Sequence, residues 1–197
     1  MKEDILRIFE ESAKVKLKFA NENFEAIQEA VEQVAACFTR GNKVLLFGNG
    51  GSATDASHIA GEFVNRFLLE RPGLPALALN TDIAVLTSIS NDYDYSEIFV
   101  KQLKALGQEG DVAIGISTSG NSPNVVKAIS AARDMGIKTI AFTGGKNNGG
   151  KLATVAELVF VVPTPDTPRV QETHITLGHV ICQLVDERLF GNGREAR

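Results

Sequence analysis

The chain has 197 residues, of which 44% are hydrophobic and 22% are charged, and its formal net charge is −4 at pH 7. This composition is typical of a globular protein, and the acidic balance without a Lys/Arg tract argues against a nucleic-acid partner. No apolar run approaches the ~20 residues of a membrane-spanning helix, and the N-terminus has no signal-peptide core, so no membrane partner is expected. Cys37 and Cys182 lie far apart in apolar surroundings. A disulfide framework is therefore not expected, and a reducing cytoplasm is the predicted location.

The first 39 residues have the apolar spacing of helices. We predict two helices here, over residues 1–20 and 21–38, which form an arm that packs against another subunit. Short, almost wholly apolar runs predict strands at residues 44–47, 76–79, 112–116, 139–142 and 158–162. The other helices are predicted to start after an N-cap at Ser52, to run through residues 86–89, and to cover residues 95–106, 123–135, 152–156 and 170–190. Asn91 and Asp92 are predicted to lie in a polar loop.

The alternation of apolar strands with helices predicts an α/β fold, in which helices cover both faces of a five-stranded parallel sheet. The chain length predicts one domain, with a helical arm (1–39), an α/β core that includes the final helix (40–190) and a loose tail (191–197). Right-handed crossovers would place the loops after the first and third strands at the same sheet edge. A ligand is expected to bind there.

The glycine turn after the first strand, residues 48–51, leads into a helix for which Ser52 is the predicted N-cap. Strand, glycine turn and helix start together present backbone N–H groups and a positive dipole end to an anion, although many such turns are purely structural. The turn is not a P-loop, because it lacks the Gly-Lys-Ser/Thr ending. The G-x-G-x-x-G spacing of dinucleotide-binding folds is missing as well.

Several hydroxyl side chains follow the third strand within six residues, at the start of a predicted helix. They are Ser117, Thr118, Ser119 and Ser122. Hydroxyls and free N–H groups suit the oxygens of a phosphate without needing a cation. Helix capping and turn formation would use one or two of these residues, so their number favours a phosphate site.

Two segments could supply metal ligands or acid/base groups. His58 and Glu62 are four residues apart and project from one helix face. They could be two metal ligands, an acid/base pair or a polar contact at the surface. The start and middle of the final helix carry further polar residues, namely Gln171, Glu172, His174 and His179. Zinc takes three or four N, O or S ligands, so His58, Glu62 and one histidine of the final helix make a sensible set. The spacing does not choose between His174 and His179. A histidine on an apolar helix face is often a core residue rather than a ligand.

Four segments contain the most distinctive residues of the chain. They read G-N-G-G-S, D-A-x-H-x-A-x-E, I-S-T-S-G-N-S and R-V-Q-E-x-H-x-x-x-x-H. Together they resemble the sugar isomerase (SIS) domain family and, within it, the phosphoheptose isomerases. The likeness covers nearly the whole chain, from the N-terminal helices to about residue 190. The S-T-S-G-N-S loop marks SIS domains in general, whereas the His/Glu and Gln/His pairs are more specific.

The resemblance implies an isomerase that converts sedoheptulose 7-phosphate to D-glycero-D-manno-heptose 7-phosphate through an enediol, in bacterial heptose biosynthesis. It also implies zinc and a homotetramer with active sites between subunits. The implied metal ligands are His58, Glu62, Gln171 and His179, which selects His179 over His174. The implied phosphosugar ligands are Asn49, Gly50, Gly51, Glu62, Asn91, Asp92, Ser117, Thr118, Ser119, Ser122 and Gln171. One departure is Pro168, which stands where many relatives have an Asp that could orient the substrate.

For such a reaction Glu62 is the candidate base and His179 the candidate acid, while zinc would act as a Lewis acid. A zinc-bound carboxylate is a poorer base, so Glu62 must loosen its bond or the metal must be mainly structural. Gln171 and His179 are eight residues apart, which is about 12 Å of helical rise. Either Gln171 precedes the helix and folds back, His179 reaches a whole turn, or the ligands come from different chains.

A sister branch of the same fold resembles the bacterial protein that binds the replication initiator DnaA, and residues 65–82 are shared with it. That branch keeps a His like His58 but lacks counterparts of Glu62 and His179, whose presence here favours the enzyme. The alternative is a non-catalytic SIS protein that binds a sugar phosphate or DnaA. Another SIS enzyme, such as an arabinose-phosphate or hexulose-phosphate isomerase, is a second alternative.

Overall fold

The computed structural model describes residues 1–191, together with their side chains except that of residue 147. Its helices are α1 (Lys2–Thr39), α2 (Gly51–Val64), α3 (Ile83–Asp92), α4 (Ile98–Leu106), α5 (Pro123–Asp134), α6 (Leu152–Val155) and α7 (Thr167–Phe190). Its strands are β1 (Val44–Gly48), β2 (Ala76–Ala78), β3 (Val112–Ser117), β4 (Lys138–Gly144) and β5 (Leu158–Val162). Short 3-10 helices also occur at Tyr95–Glu97 and Lys146–Gly149.

As predicted, the strands form one five-stranded parallel sheet, and their order in it is β2-β1-β3-β4-β5. The chain runs outward from β1 to β2 and then returns past β1 to β3, so the direction of winding reverses between β1 and β3. These strands end side by side, because Gly48 pairs with Ile116 in the parallel register. The loops that follow β1 and β3 therefore meet at one sheet edge, which is where open α/β sheets bind their ligands.

Both faces of the sheet are covered by helices, which explains why the strands are almost wholly apolar. Along β1, Leu46 packs into the core formed with α1, α2 and α7. The neighbouring Leu45 packs into the opposite core, formed with α4 and α5. This two-sided burial confirms the predicted α/β architecture.

The N-terminal arm is one helix, so the prediction of two helices is wrong. α1 is continuous over 38 residues. The polar residues near position 21 do not interrupt it, and the Asn23 side chain donates a hydrogen bond back to the Phe19 carbonyl. Neither Gly nor Pro occurs between residues 2 and 39. The sequence therefore holds no residue that would break the helix before Arg40.

Two local predictions near the sheet edge are also wrong. The N-cap position of α2 is Gly50 rather than Ser52, which lies buried in the first helical turn. The φ angle of Gly50 is +56°, a left-handed conformation that favours glycine, so the chain enters the helix earlier than a Ser cap would allow. Asn91 and Asp92 lie in the last turn of α3 rather than in a loop. Asp82 caps that helix at its start by accepting a hydrogen bond from the Val85 N–H.

The C-terminal helix begins earlier than predicted, since α7 starts at Thr167 with Pro168 in its first turn. Of the predicted tail, only Gly191 lies within the described residues. Cys37 and Cys182 are buried free thiols, and burial raises the pKa of the Cys37 thiol to about 12. Among the helices of residues 1–191, none combines the length and the apolar character that crossing a bilayer requires.

Candidate active site

Three side chains from two helices converge at one place. His58 and Glu62 project from the same face of α2, and His179 projects toward them from α7. The Nε2 atoms of His58 and His179 are 2.9 Å apart, and His58 Nε2 lies 3.1 Å from Glu62 Oε1. One potential ligand atom from each of the three residues lies within 4.8 Å of the others. The structure thus brings together three of the four metal ligands expected from the sequence, all from one chain.

The donor set of this cluster fits a divalent metal. Two imidazole nitrogens and one carboxylate oxygen are the ligands of many catalytic zinc sites, which keep a further position open for water or substrate. The side chain of His58 is 50% exposed, so the cluster is accessible from solvent. The cluster could therefore hold a metal ion and still reach a ligand.

The environment of His179 favours its neutral form. Burial is the main cause that lowers its pKa, the nearby His58 lowers it further, and Glu62 opposes them. The ring of Phe67 stacks on the imidazole, with centroids 5.3 Å apart. A neutral imidazole can bind a metal or exchange a proton with a substrate oxygen. Phe67 was missed by the sequence analysis, because an aromatic residue beyond the end of α2 gives no local indication of this contact.

Gln171 lies inside α7, about 12 Å of helical rise before His179. The possibility that it precedes the helix and folds back is therefore wrong. Its side-chain amide lies against Gly51, where an added Cβ atom would collide with it. Gln171 thus lies beside the glycine turn at the start of α2, and a side chain at residue 51 would displace it.

The hydroxyl-rich loop after β3 is held by its own side chains. Ser117 is buried at the end of the strand, and its Oγ lies 3.0 Å from Ser122 Oγ. Ser122 occupies the N-cap position of α5, but its side chain makes no capping hydrogen bond. The exposed Ser119 accepts a hydrogen bond from the Asn121 N–H. Helix capping therefore does not account for these hydroxyls. Pro123 has no N–H, and the N–H groups of Val125 and Val126 are bonded to Asn124 Oδ1 and to the Ser122 carbonyl. The hydroxyls are therefore the groups at this helix start that best suit an anion.

Two residues that the sequence analysis missed hold Asn49. The side chains of Asn49 and Asn124 exchange two hydrogen bonds of 2.9 Å each, and the Tyr95 hydroxyl donates to Asn49 Oδ1 at 3.0 Å. This reciprocal pair joins the loop after β1 to the first turn of α5. The only local indication was an Asn directly after Pro123. Its position in the sequence does not connect it to residue 49.

Asn91 and Asp92 take no part in the hydrogen bonds that hold Asn49. Both are exposed, and the Asn91 side chain donates to Asp92 Oδ1 at 2.8 Å. Among the residues that the structure describes, neither makes a hydrogen bond to any other predicted site residue. These two residues therefore bond to each other at the end of α3.

His174 is a core residue. It is fully buried, its Nε2 lies 3.1 Å from the Thr143 carbonyl oxygen, and its ring packs against Phe142. Burial lowers its pKa to about 4, so the ring is neutral at pH 7. The choice that spacing left open between the two histidines of α7 is thus resolved by geometry, since only His179 faces α2.

Comparison with known proteins places the chain in a family. The sequence profile of the SIS domain matches residues 8–144. The chain is 60% identical over 190 residues to the phosphoheptose isomerase of Thermodesulfovibrio yellowstonii, covering 96% of this chain and 94% of that protein. It is 54% identical over 187 residues to the phosphoheptose isomerase of Aquifex aeolicus, covering 95% and 97%.

Solved structures agree with these relatives. The phosphoheptose isomerase GmhA of Neisseria gonorrhoeae superposes with a TM-score of 0.87 at 41% identity, covering 94% of this chain and 98% of that one. The phosphoheptose isomerase of Francisella tularensis gives a TM-score of 0.89 at 38% identity, covering 94% and 97%. The chain belongs to the phosphoheptose isomerase family of SIS domain proteins.

Proposed function

We propose that the protein is an aldose–ketose isomerase that converts sedoheptulose 7-phosphate to D-glycero-D-manno-heptose 7-phosphate in bacterial heptose biosynthesis. The observation that carries this proposal is the convergence of His58, Glu62 and His179, which supplies two imidazoles and a carboxylate at one accessible place. A protein that only binds a sugar phosphate or DnaA needs no such acid/base set. The names of the relatives support the same reaction.

The sugar phosphate would lie across the sheet edge where the loops after β1 and β3 meet. The phosphate oxygens would accept hydrogen bonds from the hydroxyls of the loop after β3, at the start of α5. The residues that we assign to substrate binding are Asn49, Gly50, Gly51, Glu62, Asn91, Asp92, Ser117, Thr118, Ser119, Ser122 and Gln171. Hydrogen bonds to Asn124 and Tyr95 support this assignment for Asn49, because they fix its amide at the sheet edge.

We assign a zinc ion to His58, Glu62 and His179, with Gln171 as the fourth ligand. Because Gln171 lies about 12 Å of helical rise before His179 in the same helix, either His179 reaches a whole turn or this fourth ligand comes from another chain. Bound there, zinc would polarise the carbonyl and hydroxyl oxygens of the sugar as a Lewis acid. The chemistry of the donor set supports zinc, since imidazole and carboxylate are among its preferred ligands.

The protons are moved by the chain's own side chains. Glu62 takes the proton from C1 of the open-chain ketose, and the electron pair of that C–H bond forms the C1–C2 double bond of a cis-enediol. His179 donates a proton to the former carbonyl oxygen at C2 from the ring nitrogen that does not face His58. Glu62 then returns its proton to C2 while His179 takes one back from the C1 oxygen, which leaves the aldose. Oε1 of Glu62 lies against His58, so we assign the proton transfer to the second carboxylate oxygen.

We also propose a homotetramer in which the arm 1–39 packs against other subunits and the active site lies between chains. The first turns of α1 support this, because Ile5, Leu6 and Phe9 are 50%, 52% and 72% exposed. Apolar side chains clustered on one exposed helix are typical of a subunit interface. A cytoplasmic location is supported by the two buried thiols, which stay unpaired.

A coupled assay that detects the aldose product tests the proposed reaction. We expect turnover of sedoheptulose 7-phosphate by the unmodified protein. Glu62→Gln should lower kcat by about 100-fold or more, because it removes the base while keeping the shape of the side chain. Glu70→Gln, on the exposed Glu70, is the matched control and should be fully active. Binding of the sugar phosphate without turnover would instead indicate a sensor, and full activity of Glu62→Gln would remove Glu62 from the mechanism.

A further inference from the structure

A buried ion pair connects the two helices that carry the metal-binding cluster. Arg71 lies in the segment between α2 and β2, and Asp186 lies on α7. Their side chains are each only 1% exposed, and Arg71 Nε donates to Asp186 Oδ1 at 2.8 Å. Neither residue belongs to the proposed catalytic machinery.

The same guanidinium group holds the end of α2. One terminal nitrogen donates to the Glu62 carbonyl at 2.9 Å, and the other donates to the Phe63 carbonyl at 2.6 Å and the Asn65 carbonyl at 3.2 Å. Carbonyls in the last turn of a helix have no partner within the helix, and a cation is favoured there by the helix dipole. Arg71 thus binds the backbone of the residue whose carboxylate faces the cluster.

The partner of this arginine is placed on the same face of α7 as His179. Asp186 follows His179 by seven residues, which is close to two helical turns. Next to His179, Gly178 lies so close to Ile59 that an added Cβ atom would collide with the isoleucine side chain. Ile59 itself follows His58 directly. The two helices therefore touch where the histidines meet and are pinned together again at Arg71 and Asp186.

We propose that Arg71 and Asp186 form a positioning pair, which sets the orientation of Glu62 relative to His179 and thereby the metal affinity and turnover of the cluster. This inference rests on the proposed function. An apolar pair of similar volume could fill the same space, and such replacements of buried ion pairs are often tolerated. An apolar side chain could not bind the carbonyls at the end of α2. The guanidinium spreads five N–H donors over three nitrogens in a planar fork, whereas the three donors of a lysine ammonium lie on one nitrogen and do not reproduce this spread.

A second ion pair provides a matched control. Lys43 and Asp111 precede β1 and β3 at the opposite edge of the sheet, and Lys43 Nζ lies 2.7 Å from a fully buried Asp111 carboxylate. Removing either cation leaves a buried carboxylate without its charged partner. A general loss of stability should therefore appear whether the substituted cation is Arg71 or Lys43. An effect on metal binding by the cluster should appear only when Arg71 is substituted.

The experiment compares Arg71→Lys, Arg71→Met, the double variant Arg71→Met/Asp186→Leu and the control Lys43→Met. Zinc affinity is measured by competition with a chromophoric chelator and the ligand field by the visible spectrum of bound Co²⁺, at a temperature where circular dichroism shows folded protein. We expect each Arg71 variant to bind zinc about 10- to 100-fold more weakly, as loss of an outer-shell partner typically does. The Co²⁺ spectrum should change, and kcat should fall more than KM rises. Lys43→Met should keep the metal affinity and the spectrum.

The inference is overturned if Arg71→Lys or the double variant folds and binds zinc as tightly as the unmodified protein, or if Lys43→Met weakens binding equally. If Arg71→Met does not fold, the lysine and double variants decide the question. An unmodified protein that binds no zinc and shows no turnover refutes the proposed function itself. If the unmodified protein is fully active and the Arg71 variants keep its zinc affinity and turnover, only the positioning role is refuted.

Discussion

At the scale of single residues, the two histidines of α7 show how position on a helix decides chemistry. His174 faces the sheet, where burial keeps it neutral and its one hydrogen bond is to the Thr143 carbonyl. His179 lies on a partly exposed face opposite α2, within hydrogen-bond distance of His58. The two histidines are five residues apart, which is about 1.4 helical turns, so their rings point to different sides of α7. One ring therefore packs in the core, and the other is available to a ligand.

The buried His174 should make stability fall in mild acid. Its pKa is about 4 in the folded chain and near 6.5 when unfolded. Between these values the unfolded chain binds more protons, so stability is lost as the pH falls. We expect a loss of about 2 kcal/mol from this residue between pH 7.5 and pH 5.

The measurement is urea unfolding at both pH values for the unmodified protein and for His174→Gln, which keeps a donor for Thr143. The variant should lose about 2 kcal/mol less on acidification. Asp55, whose pKa burial raises to about 6, titrates in both proteins and cancels in the comparison. Equal pH dependence of the two proteins would show that His174 is not the titrating group.

At the scale of elements, most of the fold could be predicted from the sequence because each strand is a short apolar run between turn residues. β5 matches its predicted range of 158–162 residue for residue. α1 does not match, because polar residues in an exposed helix resemble a break when nothing shows that the backbone continues through them. The α2 cap was missed for a related reason, since Ser52 has the preferred chemistry but Gly50 has the φ angle that the turn requires.

Most contacts between distant elements were beyond sequence reasoning. The convergence of His58, Glu62 and His179 is an exception, since the ligand preferences of zinc suggested the set and the family resemblance selected His179. The bonds from Asn124 to Asn49 and from Arg71 to Asp186 span 75 and 115 residues. No local periodicity encodes such pairs, because they depend on how the helices pack against the sheet.

The link between the loop after β1 and α5 should matter for substrate affinity. Asn124→Ala removes the two hydrogen bonds between Asn124 and the Asn49 amide. Only the bond from the Tyr95 hydroxyl then holds this amide, so it can turn away from the sheet edge. We expect KM for the sugar phosphate to rise about tenfold, the equivalent of about 1.4 kcal/mol. Zinc affinity should not change. Steady-state kinetics test this against Asn42→Ala, a control at the opposite sheet edge, and an unchanged KM in Asn124→Ala would contradict it.

At the scale of the whole molecule, the sheet topology brings the glycine turn and the hydroxyl loop together, while α1 extends past the core with apolar side chains exposed. The double substitution Leu6→Lys/Phe9→Lys should therefore weaken association, because it places charges in the proposed subunit interface. We expect a smaller mass by multi-angle light scattering. Glu10→Lys, on the same exposed helix, should keep the mass of the unmodified protein. An unchanged mass in the double variant would mean that this face is not an interface.

The central claim is that one cluster, His58, Glu62 and His179, holds the metal and performs the isomerisation. The most direct test is the initial rate with sedoheptulose 7-phosphate as zinc is titrated into metal-depleted protein. We expect negligible turnover without metal and a linear recovery that reaches its plateau at one zinc per chain. Full turnover in the metal-depleted protein, or saturation with zinc without any turnover, would contradict this account.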